Sequence, residues 1–169
     1  GHSNSVQQPV FSPDGNTLYT VSHDGTAIAW DMTGERGLAR PFRFTSDRKT
    51  AINTASYDGH PGEFSPDGRL IAVGLQDRGV ALMDVQELTR VGAPLLGTGG
   101  EVKSLAFSPD GSMLATSAFG NVITLWDVDS RSRLYSDQTE RDNAFRGWPG
   151  LDFSPDGRTL AVTFESGVR

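Results

Sequence analysis

The pentapeptide Phe-Ser-Pro-Asp-Gly occurs four times in this chain, at Phe11–Gly15, Phe64–Gly68, Phe107–Gly111 and Phe153–Gly157. The steps between copies are 53, 43 and 46 residues. Self-similarity at a period of about 40–50 residues is the signature of a propeller or a solenoid, in which one supersecondary unit buries its faces against the next. With 169 residues, the chain suits one domain assembled from such units.

Each copy has more in common than five residues. Nineteen positions after Phe11 stands Trp30-Asp31, and nineteen after Phe107 stands Trp126-Asp127. The same offset from Phe64 gives Met83-Asp84, another large apolar residue before an Asp. From Phe153 it falls three residues past Arg169, so the sequence is expected to stop inside a repeat. His2 lies nine residues before Phe11, and Thr98 holds that offset before Phe107. Gly59-His60 is only four residues before Phe64 and is out of register.

The segments between these marks read as short strands. Val6–Phe11, Thr17–Ser22 and Thr26–Trp30 are rich in β-branched and aromatic residues and are bounded by turn residues. A fourth strand is expected near Arg40–Phe44. Repeat two offers Gly62–Phe64, Leu70–Leu75, Val80–Met83 and Val91–Pro94. Repeat three offers Val102–Phe107, Met113–Ser117, Val122–Trp126 and Arg133–Tyr135. Repeat four offers Leu151–Phe153 and Thr159–Phe164, with a third strand due at Gly167-Val168. In Ser-Pro-Asp-Gly, Pro sets φ at the second turn position and Gly suits the fourth. His23-Asp24-Gly25 supplies the Asp-Gly expected of a tight hairpin. No stretch has helical periodicity.

With Gly-His, Phe-Ser-Pro-Asp-Gly and Trp-Asp in register, the chain resembles the WD-repeat β-propeller family along nearly its whole length. The resemblance implies an all-β fold of four-stranded antiparallel blades, about three and a half in number. The expected division is blade 1 at 1–44, an insertion between blades at 45–61, blade 2 at 62–97, blade 3 at 98–137, and a link with a partial blade 4 at 138–169. It also implies that the Phe-Ser-Pro-Asp-Gly turns lie on the bottom face and the Asp-Gly hairpins on the top.

His2, Ser22, Asp24 and Trp30 could be mistaken for a catalytic constellation. By the resemblance they form instead a buried structural network that locks the first blade. It decays in the later repeats, where the Ser, Asp and His offsets hold Leu75, Asp77 and Ala55, then Ala118, Gly120 and Thr98, then Phe164, Ser166 and Ala144. Those blades are expected to lean on apolar packing. Propellers of this family usually dock partners on the top face. The residues at the hairpin position are His23, Gln76, Phe119 and Glu165, with Asp58, Glu101 and Arg146 close by at the starts of the first strands. Phe119, large and apolar at an exposed position, is the strongest hot-spot candidate.

Composition narrows the chemistry. Fifteen basic against twenty-one acidic residues give a net charge of −6 with no basic run, a poor fit to a nucleic-acid backbone. No apolar stretch approaches the ~20 residues of a membrane helix. Zero Cys excludes disulfides and thiolate metal sites and fits a cytoplasmic location. Three scattered His make a zinc site a poor reading. Gly97-Thr98-Gly99-Gly100 has no following Lys-Ser/Thr and reads as a flexible inter-blade link rather than a phosphate loop. The expectation is a non-enzymatic platform, without cofactor, that binds a protein or peptide partner. The uniform turns resemble propellers of large bacterial signalling proteins. A propeller lactonase or hydrolase and a Tol-type periplasmic propeller are the alternatives. Since a propeller closes on itself, further blades or a homodimer are expected to complete the ring.

Overall fold

The computed structural model describes residues 1–4, 6, 9–12, 14–22, 26–34, 40–43, 62–75, 79–87, 89–138, 150–164 and 167–168. Every regular element among them is a β-strand. Four sheets follow one another along the chain, each antiparallel and each laid out in sequence order. The first contains β1 (Val10–Phe11), β2 (Thr17–Val21), β3 (Thr26–Asp31) and β4 (Arg40–Arg43). The second contains β5 (Gly62–Phe64), β6 (Leu70–Leu75), β7 (Gly79–Asp84), β8 (Thr89–Arg90) and β9 (Leu95–Leu96). The third contains β10 (Val102–Phe107), β11 (Met113–Ala118), β12 (Val122–Asp127) and β13 (Arg133–Gln138). The fourth contains β14 (Leu151–Phe153), β15 (Leu160–Phe164) and β16 (Gly167–Val168). These are partial-propeller blades. The first strands lie side by side, β10 touching both β5 and β14.

The repeated turn explains why each blade starts the same way. In all four copies the Gly amide donates to the Ser carbonyl at 2.8 Å, and the Gly sits at φ +69° to +74°, a region closed to most residues with a Cβ. The Ser hydroxyl bonds the Asp carboxylate at 2.5–2.6 Å and accepts the amide that opens the second strand at 2.9–3.0 Å. The turn is therefore a closed loop of hydrogen bonds. Its stacking also orders the blades. A Cβ built on Gly111 would lie 3.6 Å from Pro66 Cδ, and one on Gly157 would lie 3.6 Å from Pro109 Cδ.

Packing between blades supplies the core. Tyr19 of blade 1 meets Phe64 of blade 2 with ring centroids 5.0 Å apart. Ile71, Val73 and Met83 line that side of blade 2. Its other side presents Ala72, Val80, Leu82 and Leu95 to Leu105, Phe107, Leu114 and Trp126 of blade 3. Alternate residues of one strand thus serve two interfaces, as the two-residue strand period requires.

Two local readings are corrected. The outer strand of blade 2 does not occupy Val91–Pro94. It is split, with Thr89–Arg90 and Leu95–Leu96 each paired to β7. Five steps from Arg90 to Leu95 oppose three from Met83 to Val80, so the chain bulges at Gly92–Pro94, after Val91, whose amide still donates to the Leu82 carbonyl at 2.8 Å. Gly92 at φ +68° and Pro94, which has no amide donor, are the residues that permit it. The Gly99-Gly100 link is packed tightly. A Cβ on Gly99 would lie 2.7 Å from Val122 Cγ2, and one on Gly100 would collide with the Phe119 carbonyl.

Candidate functional site

Each blade has two ends. The Phe-Ser-Pro-Asp-Gly turn closes one, and the hairpin between second and third strands closes the other. In blade 3 that hairpin is Phe119-Gly120-Asn121, between Ala118 and its partner Val122. Gly120 at φ +91° and Asn121 at φ +62° allow a three-residue loop. Phe119 is 69% exposed at its tip. The loop is nevertheless held in place. The Phe119 amide donates to the Glu101 carbonyl at 2.8 Å, and Gln138 Nε2 donates to the Gly120 carbonyl at 3.0 Å. Thr98, fully buried, donates to the Gly100 carbonyl at 2.8 Å and fixes the adjoining link.

Glu101 therefore lies beside Phe119, and its carboxylate pairs with Lys103 at 3.1 Å. Lys103 is buried on β10, where a bulge between Val102 and Ser104 shifts the register. On the neighbouring first strand, burial pushes the Glu63 carboxyl up, with Asp152 of blade 4 adding to the shift. The hairpin end thus combines the exposed Phe119 with the Glu101–Lys103 pair, while Glu63 lies next to Phe64, towards the turn end of its blade.

Of the expected contact residues, Phe119 and Glu101 come together here. His23, Gln76, Glu165, Arg146 and Asp58 lie outside the described residues, as does Asp24 of the expected network. Among the described members, Thr20 stands between Trp30 and His2. Trp30 Nε1 donates to Thr20 Oγ1 at 2.7 Å, and His2 Nε2 contacts the same hydroxyl at 2.8 Å. His2 Nδ1 reaches Thr26 Oγ1 at 3.2 Å. Ser22 Oγ donates to the Asn4 carbonyl at 3.1 Å. The hydroxyl that receives the indole is therefore Thr20, two residues before Ser22 and on the same face of β2.

Blade 3 repeats the pair, with Trp126 Nε1 donating to Thr116 Oγ1 at 3.2 Å. In blade 2 the same offsets hold Val73 and Met83, both buried. Hydroxyl and indole are replaced together by apolar groups, which leaves no donor stranded. The Asp after each Trp or Met has a local task. Asp31 accepts from Thr33, Asp84 from the Gln86 and Glu87 amides, and Asp127 from Ser130. Each shapes the turn after its strand. Among the described residues no group of three or more His, Asp or Glu could hold a metal ion. No helix of the described residues is long and apolar enough to cross a membrane.

Fold and hairpin geometry are those of successive antiparallel blades of a partial propeller. The WD domain, G-beta repeat model matches residues 1–31 and 90–127, the stretches that contain Trp30-Asp31 and Trp126-Asp127. The chain is 28% identical over 172 residues to a guanine nucleotide-binding protein subunit beta of Oryza sativa subsp. japonica, covering 99% of this chain and 44% of that protein. It is 28% identical over 203 residues to periodic tryptophan protein 2 of Saccharomyces cerevisiae, covering 96% and 21%. It is 29% identical over 161 residues to pre-mRNA-processing factor 19 homolog 2 of Arabidopsis thaliana, covering 95% and 27%. The chain spans less than half the length of each.

Proposed function

We propose that this chain is part of a rigid, non-enzymatic platform that binds a protein or peptide partner at the hairpin end, with Phe119 as the central contact and Glu101 beside it. The observation that carries the reading is the exposed Phe119 ring on a loop fixed by the Glu101 carbonyl and by Gln138. Binding an aromatic that is already held costs less ordering entropy than binding a mobile one, and exposed aromatics dominate interface energetics. Relatives named as a subunit and a processing factor are in keeping with a platform role. His23, Gln76, Glu165, Arg146 and Asp58 belong to the same proposed face.

The platform is completed by further blades of the parent chain in preference to a second copy. Phe11 is 55% exposed while its equivalent Phe107 is 8% exposed, so the first blade presents a face of the kind a neighbouring blade covers. A cytoplasmic signalling protein is the setting we propose. The relatives named above are eukaryotic and lend no support to a bacterial source.

Selection of displayed peptides against the purified chain tests the reading. Selected peptides should lose roughly tenfold or more in affinity on Phe119→Ala, the size expected at a hot spot, while the melting temperature is unchanged. Peptides that bind the variant equally well would overturn it.

A further inference from the structure

The outer edges of blades 2 and 3 differ in a way the hairpin-end reading does not use. In blade 2 the edge is cut into two strands of two residues by the bulge at Gly92–Pro94. Short strands, bulges and Pro are the usual protections of an edge. Blade 3 keeps one longer strand with no Pro in it: β13 runs through six residues, all exposed, at the end of its sheet, with a single bulge at Leu134 where the Leu125–Tyr135 pairing passes to Trp126–Arg133. Leu134 and Tyr135 on it are more than half exposed.

The charges along this edge are sorted. At the start of β13, the Arg131 guanidinium lies against Gly92 and Arg133 reaches Gly97. A Cβ built on Gly92 would fall 3.1 Å from Arg131 Nε, and one on Gly97 would fall 3.7 Å from Arg133 Nη1. Arg131 and Arg133 form no ion pair with a described residue. At the far end stands Asp137, whose carboxylate accepts from the Tyr135 hydroxyl at 3.0 Å. Positive charge thus marks the beginning of the strand and negative charge its end, on a chain of net charge −6.

The geometry points to the β13 edge as a docking strip for an extended peptide strand of a partner, basic at its N-terminal end and acidic at its C-terminal end. Every strand pair among the described residues is antiparallel, and an added strand continues that ladder through main-chain hydrogen bonds. Antiparallel addition places the peptide's C-terminal carboxylates beside Arg131 and Arg133 and its N-terminal ammonium groups beside Asp137. Both ends are then matched, and cross-strand opposite charges favour that register. A parallel strand of the same sequence would meet like charges at both ends.

The test uses a labelled peptide Lys-Thr-Val-Thr-Glu-Glu, its charge-reversed counterpart Glu-Thr-Val-Thr-Lys-Lys, and a copy of the first with alternate backbone amides methylated. Binding is followed by fluorescence anisotropy at low salt and by amide shifts on the whole chain. The first peptide should bind about tenfold more tightly than the reversed one, a preference of electrostatic origin that high salt removes. Shifts should centre on residues 131–138, and the methylated copy should not bind. Arg131→Asn with Arg133→Gln should erase the preference while leaving the melting temperature in place, since Asn tolerates the positive φ at 131. Equal binding of the two charge patterns, undiminished binding of the methylated copy, or shifts centred on Phe119 would each overturn the proposal.

Discussion

Blades 1 and 3 contain the same residues at the same offsets and place them in different surroundings. Phe11 and Phe107 end equivalent first strands, yet the first is 55% exposed and the second 8%. Trp30 and Trp126 each donate an indole N–H to a Thr nine residues after that Phe. Trp126 is 3% exposed within the blade 2–blade 3 interface, whereas Trp30 is half-buried. Local sequence therefore sets strand, turn and hydrogen bond, while the neighbouring blade sets burial. Blade 1 holds in addition His2 on its Thr20, at the offset where blade 3 has Thr98.

The largest effect should come from removing Trp126. Trp126→Ala is expected to cost roughly 3–5 kcal/mol, the range for a large aromatic in a core. Trp30→Ala should cost clearly less, because less of its surface is buried. Chemical denaturation of both variants checks this, and equal losses would break the comparison.

Next in size is the hydroxyl under each indole. Thr116→Val should cost about 1–3 kcal/mol, because it strands a buried N–H donor. Thr20→Val should cost less, since water can reach a half-buried indole. Blade 2 already has Val73 with Met83 at these offsets, so the loss in blade 3 should shrink when Trp126 is replaced by Met in the same chain. A double-mutant cycle reads that coupling.

The smallest effect concerns the shared turns. Ser hydroxyls and backbone amides hold the carboxyls of Asp14, Asp67, Asp110 and Asp156 below the usual carboxylate range, with Asp110 lowered to about 2. A depressed folded-state value contributes stability that is present above the unfolded value of about 4 and is lost as pH falls towards about 2. Asp110→Asn should lower stability at neutral pH and flatten its decline between those limits. Melting curves taken as a function of pH report both.

Much of this was legible in the sequence because the turn is local. Ser, Pro, Asp and Gly close their own hydrogen bonds, so four copies announce four turns. The tie between Trp and Thr is legible too, although the expected network of His2, Ser22, Asp24 and Trp30 does not include Thr20. The signal was the joint change at two offsets, Thr20 with Trp30 and Thr116 with Trp126, against Val73 with Met83. Gly92 and Pro94 marked the split outer strand of blade 2. The tight packing of Gly99-Gly100 was not legible, because it depends on where the Phe119 hairpin and Val122 come to rest. The exposure of Phe11 was equally hidden, since it depends on what lies beside the blade.

Native-state hydrogen exchange tests most directly whether neighbours rather than local sequence decide the difference between blades 1 and 3. Amides of Leu114, Thr116 and Trp126 have register equivalents at Leu18, Thr20 and Trp30. We expect slower exchange at each blade 3 position, because opening there must also disrupt the blade 2–blade 3 core. Equal protection in the two blades would contradict the account.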